Sequence, residues 1–293
     1  MSLSKIRTVV STHWLRDQIS SNVQKQASKK LRILDTSFVT DRSADMYSEC
    51  YMMGHIPQSL HFSLFQCVES TPEILVNLPD EKCFNKYVRS LGVWSDTHVV
   101  AYDRFGPLSS FKTWWLFRAF GHKNISILDG GLKKWLDDGY DVTTEEPDVE
   151  EGDFVGKLNK DHVKTYNDII DIVTTNKAQL VDARSPTSTT VADETYGGAI
   201  KGSKHVNFFA MFNEDGTYKS KEELQNMFTE AGVNLNEPMV ATCYRALTAT
   251  GVIAAAHILG KEDVPLYIGS WSEFSQRAPD HLTVRGKANI PES

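Results

Sequence analysis

Gly92-Val93-Trp94-Ser95-Asp96-Thr97-His98-Val99-Val100-Ala101-Tyr102-Asp103 returns about 140 residues later as Gly232-Val233-Asn234-Leu235-Asn236-Glu237-Pro238-Met239-Val240-Ala241-Thr242-Cys243. Each stretch runs Gly-Val, a polar turn, a short apolar strand and a loop, and the two align without a gap. The pairing extends in both directions. Leu31–Asp35 mirrors Gln179–Asp182, Gly54-His55-Ile56-Pro57 mirrors Gly198-Ala199-Ile200-Lys201, and 125–135 mirrors 264–274. A solenoid unit spans only roughly 20–45 residues. The longer period therefore signals a duplicated domain, and 293 residues suffice for two cores. The acidic run Glu145-Glu146-Pro147-Asp148-Val149-Glu150-Glu151-Gly152-Asp153 suits an exposed connector. It divides the chain into 1–146 and 154–293.

Within each half, short apolar runs alternate with helical patterns. In the second half strands are expected at 180–183, 239–242 and 265–268. Helices are expected at 221–231 and 248–259, the latter closed by Gly260. Such alternation predicts an α/β fold: two tandem domains, each a mostly parallel sheet flanked by helices. Chemistry in such sheets sits at the carboxyl ends of the strands. Cys243 lies there, directly after the strand expected at 239–242. The aromatic run Phe111, Trp114, Trp115, Phe117, Phe120 has helical spacing ahead of Gly121 and reads as core packing.

Composition removes several function classes. The chain is 41% hydrophobic and 24% charged, with a formal net charge of -7 and no basic stripe, so no nucleic-acid partner is expected. The apolar run 251–259 is interrupted by His257 and is shorter than the ~20 residues that span a bilayer, so no membrane partner is expected either. No secretory signal is read near the N-terminus. The expected compartment is the cytoplasm, with the mitochondrion as the alternative. Cys50, Cys67, Cys83 and Cys243 are irregularly spaced and form no CxxC pair, so reduced thiols are expected rather than a disulfide framework or a zinc site. The nine histidines include no HxxxH pair, and His55 and His205 read as structural. GxSxG, GxGxxG and Walker loops are absent, and no metal or organic cofactor is expected. A Cys-dependent phosphatase loop wants an arginine where Ala249 stands.

The loop Cys243-Tyr244-Arg245-Ala246-Leu247-Thr248 joins a buried strand to a helix rich in small residues. Successive amides there converge, and the helix N-terminus adds partial positive charge. Those conditions favour the nucleophilic thiolate. Arg245 adds a full charge for an anionic substrate. The hydroxyl of Thr248 is placed either to contact the same sulfur or to cap the helix.

Several segments, in this order and spacing, resemble the tandem-domain rhodanese and mercaptopyruvate sulfurtransferase family. They are Gly54-His55-Ile56-Pro57, Trp114-Trp115-Leu116-Phe117-Arg118-Ala119-Phe120-Gly121-His122, Leu128-Asp129-Gly130-Gly131, Leu180-Val181-Asp182-Ala183-Arg184, Ala241-Thr242-Cys243 and Tyr267-Ile268-Gly269-Ser270-Trp271. The resemblance implies two rhodanese domains with a non-catalytic first copy. It implies that Cys243 takes a sulfane sulfur from an anionic, thiosulfate-like donor, carries it as a persulfide, and passes it to cyanide or a thiol. The amides of Tyr244, Arg245, Ala246, Leu247 and Thr248 would stabilise the charged sulfur. Arg245 matches the position that selects the donor, cationic as in thiosulfate-using members. Asp103 holds the equivalent place in the first half and cannot do this chemistry.

Four departures from the family pattern stand out. Ser188 replaces a donor-binding arginine, Ala246 a loop glycine, and Ile268 the acid of an Asp-Gly-Ser-Trp motif. Phe65 and Val76 stand where mercaptopyruvate-using members carry an Asp and a His. Arg184, Lys201 and Arg104 are the candidate replacement cations, with Arg184 placed among the substrate-binding residues. The other reading of these departures is a degenerate, non-catalytic binding or regulatory module.

Overall fold

A computed structural model describes residues 6–25, 30–39, 45–190, 197–262 and 264–285. The chain forms two compact units. Unit 1 comprises Met1–Glu69, Leu78–Asn159 and Phe212–Lys219; unit 2 comprises Ser70–Asn77, Lys160–Met211 and Ser220–Ser293.

Unit 1 contains β1 (Val9–Val10), α1 (Thr12–Lys25), β2 (Leu31–Asp35), α2 (Met46–Glu49), β3 (Ser59–His61), α3 (Glu81–Ser90), β4 (His98–Tyr102), α4 (Ser109–Ala119), β5 (Ile125–Leu128) and α5 (Gly131–Asp137). Its sheet has the order β1-β5-β4-β2-β3 and is parallel throughout. The central strand β4 is a run of apolar residues because both of its faces are covered: Val99 through Tyr102 are fully buried. Helix α3 is amphipathic. Asp80 caps it through the Cys83 amide, and Phe84 and Val88, one turn apart, are buried. The aromatic run on α4 is core, since Phe111, Trp114, Trp115, Phe117 and Phe120 are all buried. At the end of the acidic run and beyond it the chain stays on unit 1. The Gly152 amide donates to Arg89 O and the Phe154 amide to Val93 O, and the Phe154 ring is buried against Phe84 and Phe117.

Unit 2 repeats the plan with β6 (Val163–Lys164), α6 (Tyr166–Thr175), β7 (Gln179–Asp182), β8 (Ala199–Ile200), β9 (Lys204–His205), α7 (Lys221–Glu230), β10 (Met239–Thr242), α8 (Thr248–Ile258), β11 (Leu266–Tyr267), α9 (Ser270–Arg277) and β12 (Thr283–Val284). The sheet order β6-β11-β10-β7-β9 is that of unit 1, again parallel. Capping boxes start α6 (Thr165 with Asp168) and α7 (Ser220 with Glu223). The expected α8 ends where Gly260 takes a positive φ of 98° and its amide donates to His257 O. An antiparallel pair, β12 with β8, was not legible in the sequence because each strand is only two residues long.

One expectation is overturned. Cys67 and Cys83 form a disulfide with a Cα–Cα distance of 5.5 Å. Irregular sequence spacing concealed it. The Asp80 amide donates to Cys67 O at 2.9 Å, which folds the 67–80 excursion back onto the first turn of α3. Cys50 and Cys243 are free. Among the described residues no helix is long and apolar enough to cross a membrane.

Candidate active site

Cys243 follows β10 directly, with its side chain buried. The loop after it is clamped by the turn between β11 and α9. The Trp271 amide donates to Cys243 O at 2.9 Å, and the Ser272 amide to Tyr244 O at 3.0 Å. The Ser270 hydroxyl accepts from the Ala246 amide at 3.1 Å and from the Cys243 amide at 3.4 Å, and it donates to Tyr267 O at 3.0 Å. Two non-glycine residues adopt left-handed backbone here, Ala246 at φ 56° and Ser270 at φ 51°. Each such residue costs about 1–2 kcal/mol, so the clamp holds a shape the chain would otherwise leave.

Helix α8 begins at Thr248 with Leu247 at the N-cap and no side-chain capping bond. Thr248 therefore does not serve as the cap, and the positive end of the helix dipole faces the loop uncapped. The helix approaches its neighbours closely because its residues are small. A Cβ on Gly251 would lie 2.0 Å from a Phe208 ring carbon. Leu247 O accepts from both the amide and the hydroxyl of Thr250, which ties the end of the loop to the first turn.

The cations separate by role. Arg245 is half-buried with its guanidinium 4.8 Å from the centre of the Tyr244 ring, and its Nε is buried without a hydrogen-bond partner among the described residues. Arg184 is buried and committed elsewhere. It bonds both carboxylate oxygens of Asp182, donates to Gly198 O at 2.9 Å, and lies over the Trp271 ring. Arg104 does the same in unit 1, pairing with Asp35 at 3.3 Å and donating to Gly54 O. Lys201 is exposed and lines a cavity beside Gln179 and Pro238, at the end of the sheet where β7 and β10 start, away from Cys243. Ser188 is buried, its hydroxyl without a partner among the described residues. Val76 is buried, and Phe65 meets Phe38 edge-on. His55 is structural: it lies between the carbonyls of Tyr51 and Glu145 and stacks on the Tyr51 ring.

Asp103 shows what the same loop does without a thiol. Its carboxylate accepts from the amides of Leu108, Ser109 and Ser110 at 2.8–3.1 Å and from the hydroxyls of Ser109 and Ser110. Burial nevertheless raises its pKa. The loop in unit 1 thus closes around its own anion. Ser270, which stands in the sequence only as part of the Tyr267–Trp271 segment, is a structural member of the site. Its signal was present in the repeat, since the equivalent residue of the first half is Gly131, where a Cβ would meet Asp103 O at 2.5 Å.

Among the described residues no group of three His, Cys, Asp or Glu side chains could hold a metal ion. The Rhodanese-like domain family matches residues 12–138 and 165–277. The thiosulfate sulfurtransferase of Rattus norvegicus is 37% identical over 291 residues, covering 96% of this chain and 97% of the relative. The 3-mercaptopyruvate sulfurtransferase of the same species is 35% identical over 289 residues, covering 96% of each. The solved structure of SseA from Escherichia coli, described as a 3-mercaptopyruvate sulfotransferase of rhodanese fold, has a TM-score of 0.79 and 28% identity, covering 90% of this chain and 99% of that one. These likenesses favour an enzyme over a binding module. The chain belongs to the rhodanese family, among its tandem-domain sulfurtransferases of the thiosulfate and 3-mercaptopyruvate type.

Proposed function

We propose that Cys243 carries sulfur as a persulfide between a thiosulfate-like donor and a thiophilic acceptor. The observation that carries this reading is the clamped loop between β10 and the uncapped start of α8, with a free thiol at its head. In the first step the thiolate attacks the outer sulfur of thiosulfate. The sulfur–sulfur bond breaks, and sulfite leaves with the bonding pair. In the second step cyanide or a thiolate attacks the outer sulfur of the persulfide, and the Cys243 thiolate is released. The amides of the loop and the helix end favour the anionic forms of both sulfurs.

Arg245 orients the donor. Its buried Nε, without a hydrogen-bond partner among the described residues, supports that role, because an unsatisfied guanidinium N–H gains from an anionic partner. Arg184 is the weaker candidate, because Asp182 already neutralises it. Ser188 offers one hydroxyl where a second cation would strengthen donor binding, so thiosulfate is bound through a single charge. Loss of one charge-assisted bond corresponds to roughly 10- to 150-fold in affinity. Phe65 and Val76 carry no titratable group, which favours thiosulfate over mercaptopyruvate as donor.

The test is a thiosulfate:cyanide sulfurtransferase assay on the wild type and Cys243→Ser, with intact mass measured after donor alone. One added sulfur atom on the wild type and loss of turnover in Cys243→Ser are expected. Turnover that survives in Cys243→Ser would sink the mechanism.

A further inference from the structure

Unit 1 retains a cavity of about 220 Å³ above the carboxyl ends of β4 and β5. Its walls are the loop 103–107 and the turn 127–131, with Phe111, Lys133 and Gly216. In the repeat this is the place that Cys243 and Ser270 occupy in unit 2. The sulfur chemistry has no use for it, since Asp103 cannot carry sulfur.

The charged groups around the cavity are nearly all committed. Asp103 is saturated by five donors, the Leu108 amide and the amides and hydroxyls of Ser109 and Ser110 at the start of α4. Arg104 is turned to Asp35 and Gly54 O. Lys133 pairs with Asp137, and Lys134 with Asp138. Asp129 remains. It is half-buried, lines the cavity, and accepts the Tyr218 amide on Oδ1 at 2.9 Å. Asp215, on the same 212–219 segment, adds a second negative charge near it, and the Tyr218 phenol is held neutral by burial. The remaining walls are apolar, with Pro107 and Phe111 inside and Phe105 61% exposed.

We infer that this cavity is a second, non-catalytic binding site for a small organic amine, whose ammonium pairs with Asp129 while its apolar body lies against Phe111, Pro107 and Phe105. Burial and Asp215 push the Asp129 carboxyl up to about 6 against the pull of the Tyr218 amide. A bound ammonium removes that penalty, because it sets an opposite charge beside Asp129, whereas the cations of the wall, Arg104 and Lys133, are already paired with Asp35 and Asp137. Binding therefore strengthens as pH rises from 5 to 7, while Asp129 ionises, and then levels off. A neutral molecule of the same shape gains only the apolar contact.

The experiment titrates the full chain with benzylamine and, separately, with benzyl alcohol, reading amide NMR shifts and calorimetric affinity at several pH values. Saturable shifts are expected at 103–107 and 129–131, with benzyl alcohol at least ~10-fold weaker. Asp129→Asn keeps an oxygen for the Tyr218 amide and removes the charge; it is expected to weaken benzylamine by a similar factor and abolish its pH dependence. Equal affinity for the two probes, shifts elsewhere, no saturable binding, or benzylamine binding indifferent to pH would overturn the inference. The comparison of the two probes on the wild type stands even if Asp129→Asn fails to fold. Neither outcome bears on the persulfide reading, because Cys243 is not involved.

Discussion

At the scale of single residues, the two loops differ by a few contrasts at equivalent positions: Asp103 against Cys243, and Gly131 against Ser270. Ser270 bridges two loop amides, so removing its hydroxyl should loosen the loop without touching the thiol. Ser270→Gly is the clean variant, since glycine accepts φ 51° without strain. Turnover is expected to fall about 10-fold, corresponding to ~1.4 kcal/mol in the barrier, with global stability nearly unchanged. A thiosulfate assay beside a thermal melt distinguishes this from unfolding. The placement of Cys243 and Arg245 could be read from the sequence because a strand, a loop and a helix start follow one another along the chain. For Ser270 the repeat marks only the contrast with Gly131; the bonds it makes depend on a carbonyl and two amides that only the fold brings near it. The commitment of Arg184 to Asp182 was hidden for the same reason: Asp-Ala-Arg records proximity in sequence but not which way a guanidinium turns.

At the scale of elements, the strands and helices of the second half were legible because apolar runs, capping boxes and Gly260 mark them locally. β7 and β11 shift or shorten by a residue at their ends, where pairing with neighbours rather than composition sets the boundary. The disulfide escaped because its two cysteines meet only after the 67–80 excursion folds back. Helix α8 carries the thiol loop, and its position depends on Gly251 against Phe208. Gly251→Ala places a methyl where a ring already sits. It is expected to destabilise unit 2 by about 1–3 kcal/mol and to lower turnover by moving the helix start. Denaturant unfolding and the sulfurtransferase assay, run on the same preparation, check both effects.

At the scale of the whole molecule, stability is expected to respond to redox state and to pH. The Cys67–Cys83 bridge closes a loop with a sequence separation of 16. Reduction, or Cys67→Ser, should lower unfolding stability by about 3 kcal/mol, read as a shift of the denaturant midpoint with and without dithiothreitol. Burial and the nearby His122 lower the His98 pKa to about 4, against an unfolded value of about 6.5. The unfolded chain thus binds the proton first, and stability falls as pH drops from about 6.5 toward 4, by on the order of 2 kcal/mol. Asp129, with its folded pKa raised to about 6, opposes this trend below pH 6. Unfolding midpoints between pH 7 and 5 should therefore fall in the wild type and fall less in His98→Gln. The twin sheets also share a buried Asp–Arg–Gly carbonyl arrangement, yet Arg104 supplies the guanidinium from the loop after β4 in one unit and Arg184 supplies it from the loop after β7 in the other. The two copies have thus settled equivalent electrostatic needs at non-equivalent positions. Installing a cysteine at Asp103 would strand five donors and still lack a serine at Gly131. The first copy is thus locked by interdependence: no single substitution reproduces in it the loop that surrounds Cys243 in the second.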